Sequence, residues 1–172
     1  MFEVIFLSLH NIFYLILFTL APVFELRWSI PLGLWNKPID LPLIGTINGF
    51  GMSVFEVLPI VIITNILLGF FLYFALHFLV KLFTRVQCIK VLYNRIVERT
   101  QRKVKPYVEK YGVIGLAIFI GIPLPGSGVW TGALAAYLLG VRFRDFAIAC
   151  VIGVLIAAAM VTAVTLGLLN GF

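Results

Sequence analysis

Gly121-Ile-Pro-Leu-Pro-Gly-Ser-Gly-Val-Trp-Thr-Gly132 is the stretch that decides the fold of this chain. Pro123 and Pro125 each remove a backbone hydrogen-bond donor from any helix drawn through it. Gly126 and Gly128 allow backbone angles that other residues avoid. The stretch lies between two apolar runs, and broken backbone in a membrane is tolerated only where protein or a water-filled cavity covers it. We therefore expect a cavity at this point.

A second break, Glu25-Leu-Arg-Trp-Ser-Ile-Pro31, occupies the matching place in the first half of the chain. Long apolar runs follow the two breaks, at Val54–Leu82 and Phe146–Leu169, and each exceeds the about 20 residues that a membrane-spanning helix needs. The apolar arms on either side of the Gly121–Gly132 stretch, at 111–122 and 131–141, would each cover only about 16–18 Å as helices. This is roughly half of the hydrocarbon core, so these arms favour a re-entrant hairpin over two full crossings.

The composition is that of an integral membrane protein. The chain has 172 residues, of which 62% are hydrophobic and only 12% are charged, whereas soluble domains carry about 25% charged residues. Nine of the thirteen Lys and Arg residues fall between Lys81 and Lys110. A basic segment flanked by apolar spans is expected to face the cytoplasm rather than a nucleic acid, because cytoplasmic loops carry an excess of positive charge. We expect a multi-pass protein of the cell inner membrane, with loop 81–110 cytoplasmic.

The predicted fold class is an all-α integral membrane protein with two inverted repeats, each a re-entrant helical hairpin followed by a transmembrane helix. A single membrane domain would contain repeat one at 1–82, a basic amphipathic linker at 83–110 and repeat two at 111–172. The single crossing between the hairpins gives the repeats opposite orientations, and the positive-inside rule supports this topology. A competing topology, in which Phe2–Phe24 crosses the membrane fully, stays open.

Inverted repeats whose broken helices meet near the midplane are the construction of secondary transporters. The loop Gly126-Ser-Gly128 could present backbone N–H groups to an anion such as a phosphate. The alternative is that the prolines and glycines only let the tip turn and pack closely. We favour a functional tip, since irregular backbone at this depth usually lines a cavity.

Glu25 and Arg27 are ionisable groups in an apolar region, where each is costly. Glu25 could carry a proton, because burial disfavours its charged form, and Arg27 could hold a phosphate or carboxylate. The alternative is that they only neutralise each other. For Glu56 a cap at the start of its helix is as well supported as a functional role, and Asn65 is expected to make an interhelical hydrogen bond.

The candidate substrate or proton site comprises Glu25, Arg27, Ser29, Pro31, Glu56, Pro123, Pro125, Gly126, Ser127, Gly128, Trp130, Thr131 and Arg142. We find no arrangement of residues typical of a catalytic site and no metal-ligand spacing, so we predict neither an enzyme nor a cofactor. The expected partners are membrane lipids and a proton or other coupling ion, with a homodimer left open and no nucleic acid.

At Glu25–Pro31 and Pro123–Thr131 the chain resembles the small multidrug export protein family, which is similar in turn to the DedA/VTT group of membrane proteins. The resemblance covers most of the chain: an E-x-R-x-x-I-P element, a P-x-P-G-[ST]-G-x-W element and the basic segment between them. The DedA resemblance implies two inverted re-entrant hairpins and proton-driven transport of lipids such as polyprenyl phosphates. One departure is that DedA-like proteins carry arginines at the second hairpin, whereas this tip is uncharged and Arg142 and Arg144 follow it.

The predicted function is a membrane transporter, proton-coupled, that moves a lipid or amphiphile of the polyprenyl-phosphate type across the inner membrane. An alternative within transport is a small multidrug or cation exporter, in which Glu25 is the binding carboxylate. An alternative of another class is a non-transporting module that organises membrane lipids or partners.

Overall fold

A computed structural model describes residues 2–22, 24–41, 45–83, 111–123 and 127–170. Within this part the chain forms six helices: α1 (Phe2–Leu20), α2 (Glu25–Leu34), α3 (Val54–Phe83), α4 (Tyr111–Gly121), α5 (Val129–Leu138) and α6 (Phe143–Asn170). The predicted helical class is therefore confirmed for the described residues. The basic linker predicted at 83–110, apart from its first residue, lies outside the described residues, and so do Pro125 and Gly126.

Helix α2 folds back against α1, so the first pair of helices is a helical hairpin. Pro22 follows the end of α1 and cannot continue it as a helix. Just after this proline, the ring of Phe24 lies edge-on to that of Phe18 of α1, with centroids 5.4 Å apart. Further along α2, a Cβ built on Gly33 would lie 3.3 Å from Leu15 of α1.

The motif that the sequence analysis interpreted as a break is in fact the body of α2. The helix begins at Glu25 and continues through Pro31 to Leu34. Pro31 has no N–H to donate to the carbonyl group of Arg27, four residues earlier. The turn therefore precedes the motif, and the proline removes one hydrogen bond inside the helix without ending it.

Helices α4 and α5 form the second hairpin around the Pro- and Gly-rich stretch. Glycine is required where the arms approach each other, because a Cβ on Gly132 would lie 2.5 Å from Cγ1 of Ile120. Gly128 caps the start of α5 with a φ of 114°, a backbone conformation that glycine adopts at little cost. The expected interruption of the helix between residues 121 and 129 is confirmed in the described part of this stretch.

A small β-hairpin follows α2, which the sequence analysis did not predict. Strand β1 (Pro38–Leu41) pairs antiparallel with β2 (Gly45–Asn48). The chain after β2 then satisfies carbonyl groups at the end of α2: Phe50 donates to Leu32 at 2.9 Å, and Met52 donates to Gly33 at 2.8 Å. Because the last carbonyls of a helix have no partner within it, these bonds attach the hairpin firmly to α2.

Helices α3 and α6 are long and apolar enough to cross a membrane, over Val54–Leu76 and Phe143–Leu168. On each helix, large apolar side chains are exposed at helical spacing. They are Ile63, Leu67, Phe71, Phe74 and Phe78 on α3, and Ile148, Ile152, Ile156, Met160, Val164 and Leu168 on α6. Long apolar stripes of this kind suit contact with lipid rather than water. The protein is therefore a membrane protein.

The chain divides into two compact units, residues 1–65 with 157–172, and residues 66–156. The first unit contains α1, α2, the β-hairpin, the first part of α3 and the last part of α6. The second unit contains the rest of α3, α4, α5 and the first part of α6. Each unit thus combines one helical hairpin with the first part of the long helix that follows it and the last part of the other long helix.

Candidate functional site

Glu25 lies at the tip of the first hairpin, where the chain has just reversed from α1 into α2. Its side chain is only 4% exposed, and its backbone N–H donates to the carbonyl oxygen of Ala21 at 3.0 Å. Among the described residues it is the one non-glycine residue with a positive φ, at 43°. Such a conformation costs about 1–3 kcal/mol and persists where the surroundings enforce it, often at functional sites.

Two other predicted site residues lie beside Glu25 on α2. The hydroxyl of Ser29 is buried and donates to the backbone carbonyl of Glu25 at 2.7 Å, which ties the tip to the next turn of the helix. Arg27 is half-buried, and its guanidinium interacts electrostatically with Glu25. Positions i and i+2 lie on different faces of a regular helix, and Glu25 is the residue at which the helical backbone starts with a positive φ.

Glu56 has the role of a helix cap. Its carboxylate accepts hydrogen bonds from the backbone N–H and the hydroxyl of Ser53, both at 2.9 Å, at the start of α3. The carboxylate also complements the positive end of the helix dipole. Of the two interpretations that the sequence left open for Glu56, this geometry supports the structural one.

At the tip of the second hairpin, the side-chain hydroxyl groups donate hydrogen bonds to nearby backbone carbonyl groups. The hydroxyl of Ser127 donates to the carbonyl of Ile122 at 2.6 Å, and that of Thr131 makes a long bond to the carbonyl of Gly128 at 3.4 Å. Pro123 is exposed and Trp130 is half-buried. Residues 121–123 and 127–132, the described part of the tip, contain no ionisable side chain.

Arg142 lies away from this tip, at the far end of α5. Ten residues of helix separate them, a distance of about 15 Å at 1.5 Å per residue. Its Nε–H donates to Oδ2 of Asp145 at 3.0 Å, and the side chain of Arg142 is 85% exposed. The structure therefore brings Arg142 together with Asp145 and not with the glycine-rich tip.

Buried polar side chains in the first unit include several that sequence reasoning missed. Thr19 and Thr165 each donate to the carbonyl four residues earlier, at 2.7 and 2.8 Å. Asn65 is fully buried, yet neither its amide nitrogen nor its amide oxygen finds a hydrogen-bond partner in the described structure. The expected interhelical hydrogen bond of Asn65 is therefore wrong for the described residues. Asn65 was identifiable as a lone amide in an apolar run, but its lack of a partner was not.

The site residues thus fall into two groups. Glu25, Arg27 and Ser29 lie together in the first unit, and the tip 127–131 lies in the second. The predicted proximity of the two tips stays a prediction.

Comparison with known proteins gives one match. A family model described as "Putative small multi-drug export protein" matches residues 25–160, from the first residue of α2 to the second half of α6. No curated protein and no solved structure matches the chain. The similarity to the DedA/VTT group stays a resemblance in the two motifs.

Proposed function

The chain belongs to the small multi-drug export protein family, and we propose that it transports an amphiphile across the inner membrane with a proton as the coupling ion. The observation that carries the proposal is Glu25, an acidic side chain that is 4% exposed and sits on strained backbone at a helix break. Ionisable groups in membrane proteins are costly and typically mark pathways for substrates, ions or protons.

A proton can change the state of such a tip because burial acts differently on the two forms of a carboxyl group. A buried carboxyl is more stable when neutral, and a nearby cation stabilises its charged form. Arg27 supplies that cation. Protonation of Glu25 would release Arg27 from this interaction and leave its guanidinium available to an anionic headgroup, and deprotonation would restore the pair.

The substrate that fits this exchange is an amphiphile with a phosphate headgroup, such as a polyprenyl phosphate. The planar guanidinium of Arg27 suits a phosphate because it can donate two parallel hydrogen bonds. An extended apolar chain would remain in the hydrocarbon, which the exposed apolar faces of α3 and α6 suit. Only the headgroup then needs a protein site.

A second candidate function is export of a cationic amphiphile, which the family description favours. In that case the carboxylate of Glu25 would bind the substrate directly, and a proton would compete with the cation for the same group. The two candidates differ in the role of Arg27, which attracts an anionic substrate but repels a cationic one.

The composition of the two units supports the repeat architecture that such a mechanism uses. Each unit holds one hairpin and matching parts of the two long helices, as expected if the halves of the chain are related by a two-fold pseudosymmetry in the membrane plane. Transporters built this way alternate access by moving one repeat against the other.

Transport by the purified protein in liposomes, with an imposed pH gradient, tests the proposal. A fluorescent polyprenyl-phosphate analogue and a cationic dye serve as the two substrates. We expect gradient-driven transport of the phosphate analogue. Glu25→Gln should bind this substrate but lose the response to the gradient, whereas Arg27→Gln should weaken its binding.

The matched control is Glu56→Gln, which makes the same chemical change at an exposed cap. It should keep gradient-driven transport. Transport of only the dye would favour the second candidate, and no transport of either would favour a membrane-organising module. Normal gradient dependence in a stable Glu25→Gln protein would remove Glu25 from the mechanism.

A further inference from the structure

A cavity of about 240 Å³ lies at the open end of the second hairpin, within the second unit. Val113 and Leu116 of α4 and Val141 after α5 give it an apolar wall, while Arg142 and Asp145 bring two opposite charges to it. Gly112 and Gly140 complete the lining. The cavity is smaller than the about 300–1,000 Å³ of pockets that enclose drug-sized ligands. It suits a headgroup rather than a whole amphiphile.

The cavity contacts α3 and lies beside the start of the candidate membrane span in α6. The hydroxyl of Tyr73 donates to the carbonyl of Val141, a cavity residue, at 2.7 Å. The α6 span begins at Phe143, and the charged residues Arg142, Arg144 and Asp145 lie at this start. Because charged residues favour the ends of apolar spans, we take the cavity to lie at the level where the hydrocarbon ends and lipid headgroups begin.

An aromatic cluster beside the cavity also favours a position at the boundary between the hydrocarbon and the lipid headgroups. The ring of Tyr73 stacks on that of Phe146 with centroids 5.1 Å apart, and the ring of Phe143 lies 4.7 Å from that of Phe74. Tyrosines are enriched at membrane interfaces, where the ring is apolar and the hydroxyl reaches a polar partner. The tyrosine here uses its hydroxyl to hold the cavity wall in place.

The two charged side chains of the cavity, Arg142 and Asp145, form an ion pair that uses only some of their hydrogen-bonding groups. One hydrogen bond, from Nε of Arg142 to Oδ2 of Asp145, joins them at 3.0 Å. In the described part of the chain the Nη groups of Arg142 and Oδ1 of Asp145 make no further hydrogen bond. A guanidinium has five N–H donors and a carboxylate about four acceptor positions. The pair can therefore bind a ligand that carries both an anion and a cationic donor.

We propose that this cavity binds the headgroup of a zwitterionic phospholipid of the phosphatidylethanolamine class. The phosphate would accept from the Nη groups of Arg142, and the ammonium would donate to Asp145. The apolar wall formed by Val113, Leu116 and Val141 would contact the glycerol and the start of the acyl chains. An anionic headgroup without an ammonium would meet Arg142 but be repelled by Asp145, so the carboxylate selects for the zwitterion.

Native mass spectrometry of the full chain in detergent, titrated with short-chain lipids, tests this proposal. The lipids are phosphatidylethanolamine, phosphatidylglycerol, which has the phosphate alone, and phosphatidylcholine, whose quaternary ammonium has no N–H. We expect phosphatidylethanolamine to bind about tenfold more tightly than the other two, a difference of one well-placed charged hydrogen bond. Two soluble probes, inorganic phosphate and glycerophosphoethanolamine, distinguish a free anion from a lipid headgroup, and neither should displace the lipid at equal concentration.

Three single variants complete the test. Arg142→Gln and Asp145→Asn should each weaken phosphatidylethanolamine binding about tenfold, and Asp145→Asn should also remove the preference over phosphatidylglycerol. Arg144→Gln is the matched control, because it removes the same charge from an exposed neighbour that does not line the cavity. Thermal unfolding without lipid checks that each variant is folded. We expect no loss there, since exposed ion pairs contribute little to stability.

Four outcomes would overturn the proposal. They are equal affinity for phosphatidylglycerol together with no effect of Asp145→Asn, equal weakening by Arg144→Gln, displacement of the lipid by inorganic phosphate, or no saturable binding of phosphatidylethanolamine. If a single variant does not fold, the paired variant Arg142→Asp with Asp145→Arg keeps an ion pair there. It should bind phosphatidylethanolamine less tightly, because the charges have exchanged places relative to the apolar wall, and unchanged binding would contradict the predicted orientation.

Discussion

The two hairpins have similar geometry but use different residues at the start of the second arm. Each reverses the chain and starts its second arm with a residue at positive φ, Glu25 at 43° in the first and Gly128 at 114° in the second. Glycine adopts such angles at little cost, whereas glutamate does not. The first tip keeps a strained, buried acidic residue where a glycine would suffice for the turn. Under the function proposed above, the carboxyl group of Glu25 carries a proton, a role that glycine could not take, whereas the described part of the second tip has no ionisable side chain.

The largest expected difference between the tips concerns added positive charge. Glu25→Lys would place a cation at a 4% exposed position beside Arg27, and should lower the free energy of unfolding by on the order of 3–5 kcal/mol, as uncompensated buried charges do. Ser127→Lys, at a half-buried position, should cost less than about 1 kcal/mol. Unfolding in mixed detergent micelles measures both. Similar losses in the two variants would mean that the tips do not differ in burial as described.

Two close glycine contacts, one in each unit, give the next largest difference. A Cβ on Gly153 of α6 would lie 2.8 Å from the carbonyl oxygen of Ala117 in α4, whereas one on Gly33 would meet side-chain atoms of Val57 at 2.7 and 2.9 Å. Gly153→Ala should therefore destabilise by about 1–3 kcal/mol, and Gly33→Ala by less.

Gly167→Ala is the control for this comparison, because a Cβ there meets nothing within 4 Å. Alanine is the better helix former by about 1 kcal/mol, so this variant should be slightly more stable than the parent in the same unfolding measurement. A loss at Gly167 as large as that at Gly153 would show that the close contact is not the cause.

The positive φ angles lead to a smaller, reciprocal prediction. Gly128→Ala should lose about 1 kcal/mol because alanine is strained at a φ of 114°. At the first tip, Glu25→Gly should be more stable than Glu25→Ala by a similar amount, since both lack the carboxyl group and only alanine keeps the strain. Equal stability of these two Glu25 variants in chemical unfolding would rule out backbone strain at this position.

The smallest expected effect is that of the tip hydroxyls. Ser29→Ala removes a buried hydrogen bond to the carbonyl of Glu25 and should cost about 1 kcal/mol. Ser127→Ala removes a bond that is exposed to solvent, where water can replace the hydroxyl, and should cost a few tenths of this. Thermal unfolding of the two variants side by side measures the difference, and a larger loss at Ser127 would reverse our ranking of the two tips.

Several features of the protein were decided by the sequence alone. The apolar runs at α3 and α6 are long enough to cross a membrane whatever surrounds them, because length and hydropathy are local properties. The interruption before α5 follows in the same way from two prolines and several glycines that lie close together in the sequence. Membership of the small multi-drug export family rests on residues 25–160, as the two motifs suggested.

Other features depend on contacts between segments that are distant in sequence, and only the tertiary structure decided them. Pro31 lies inside α2 without ending it, and the chain after β2 donates hydrogen bonds to carbonyl groups at the end of the same helix. The cavity beside Arg142 and Asp145 takes part of its wall from α4, about thirty residues earlier in the chain. The burial and the φ of Glu25 likewise follow from the turn that returns α2 onto α1. The sequence identifies such residues as candidates, but packing sets their neighbours and backbone angles. Packing brings together positions that no local sequence pattern relates.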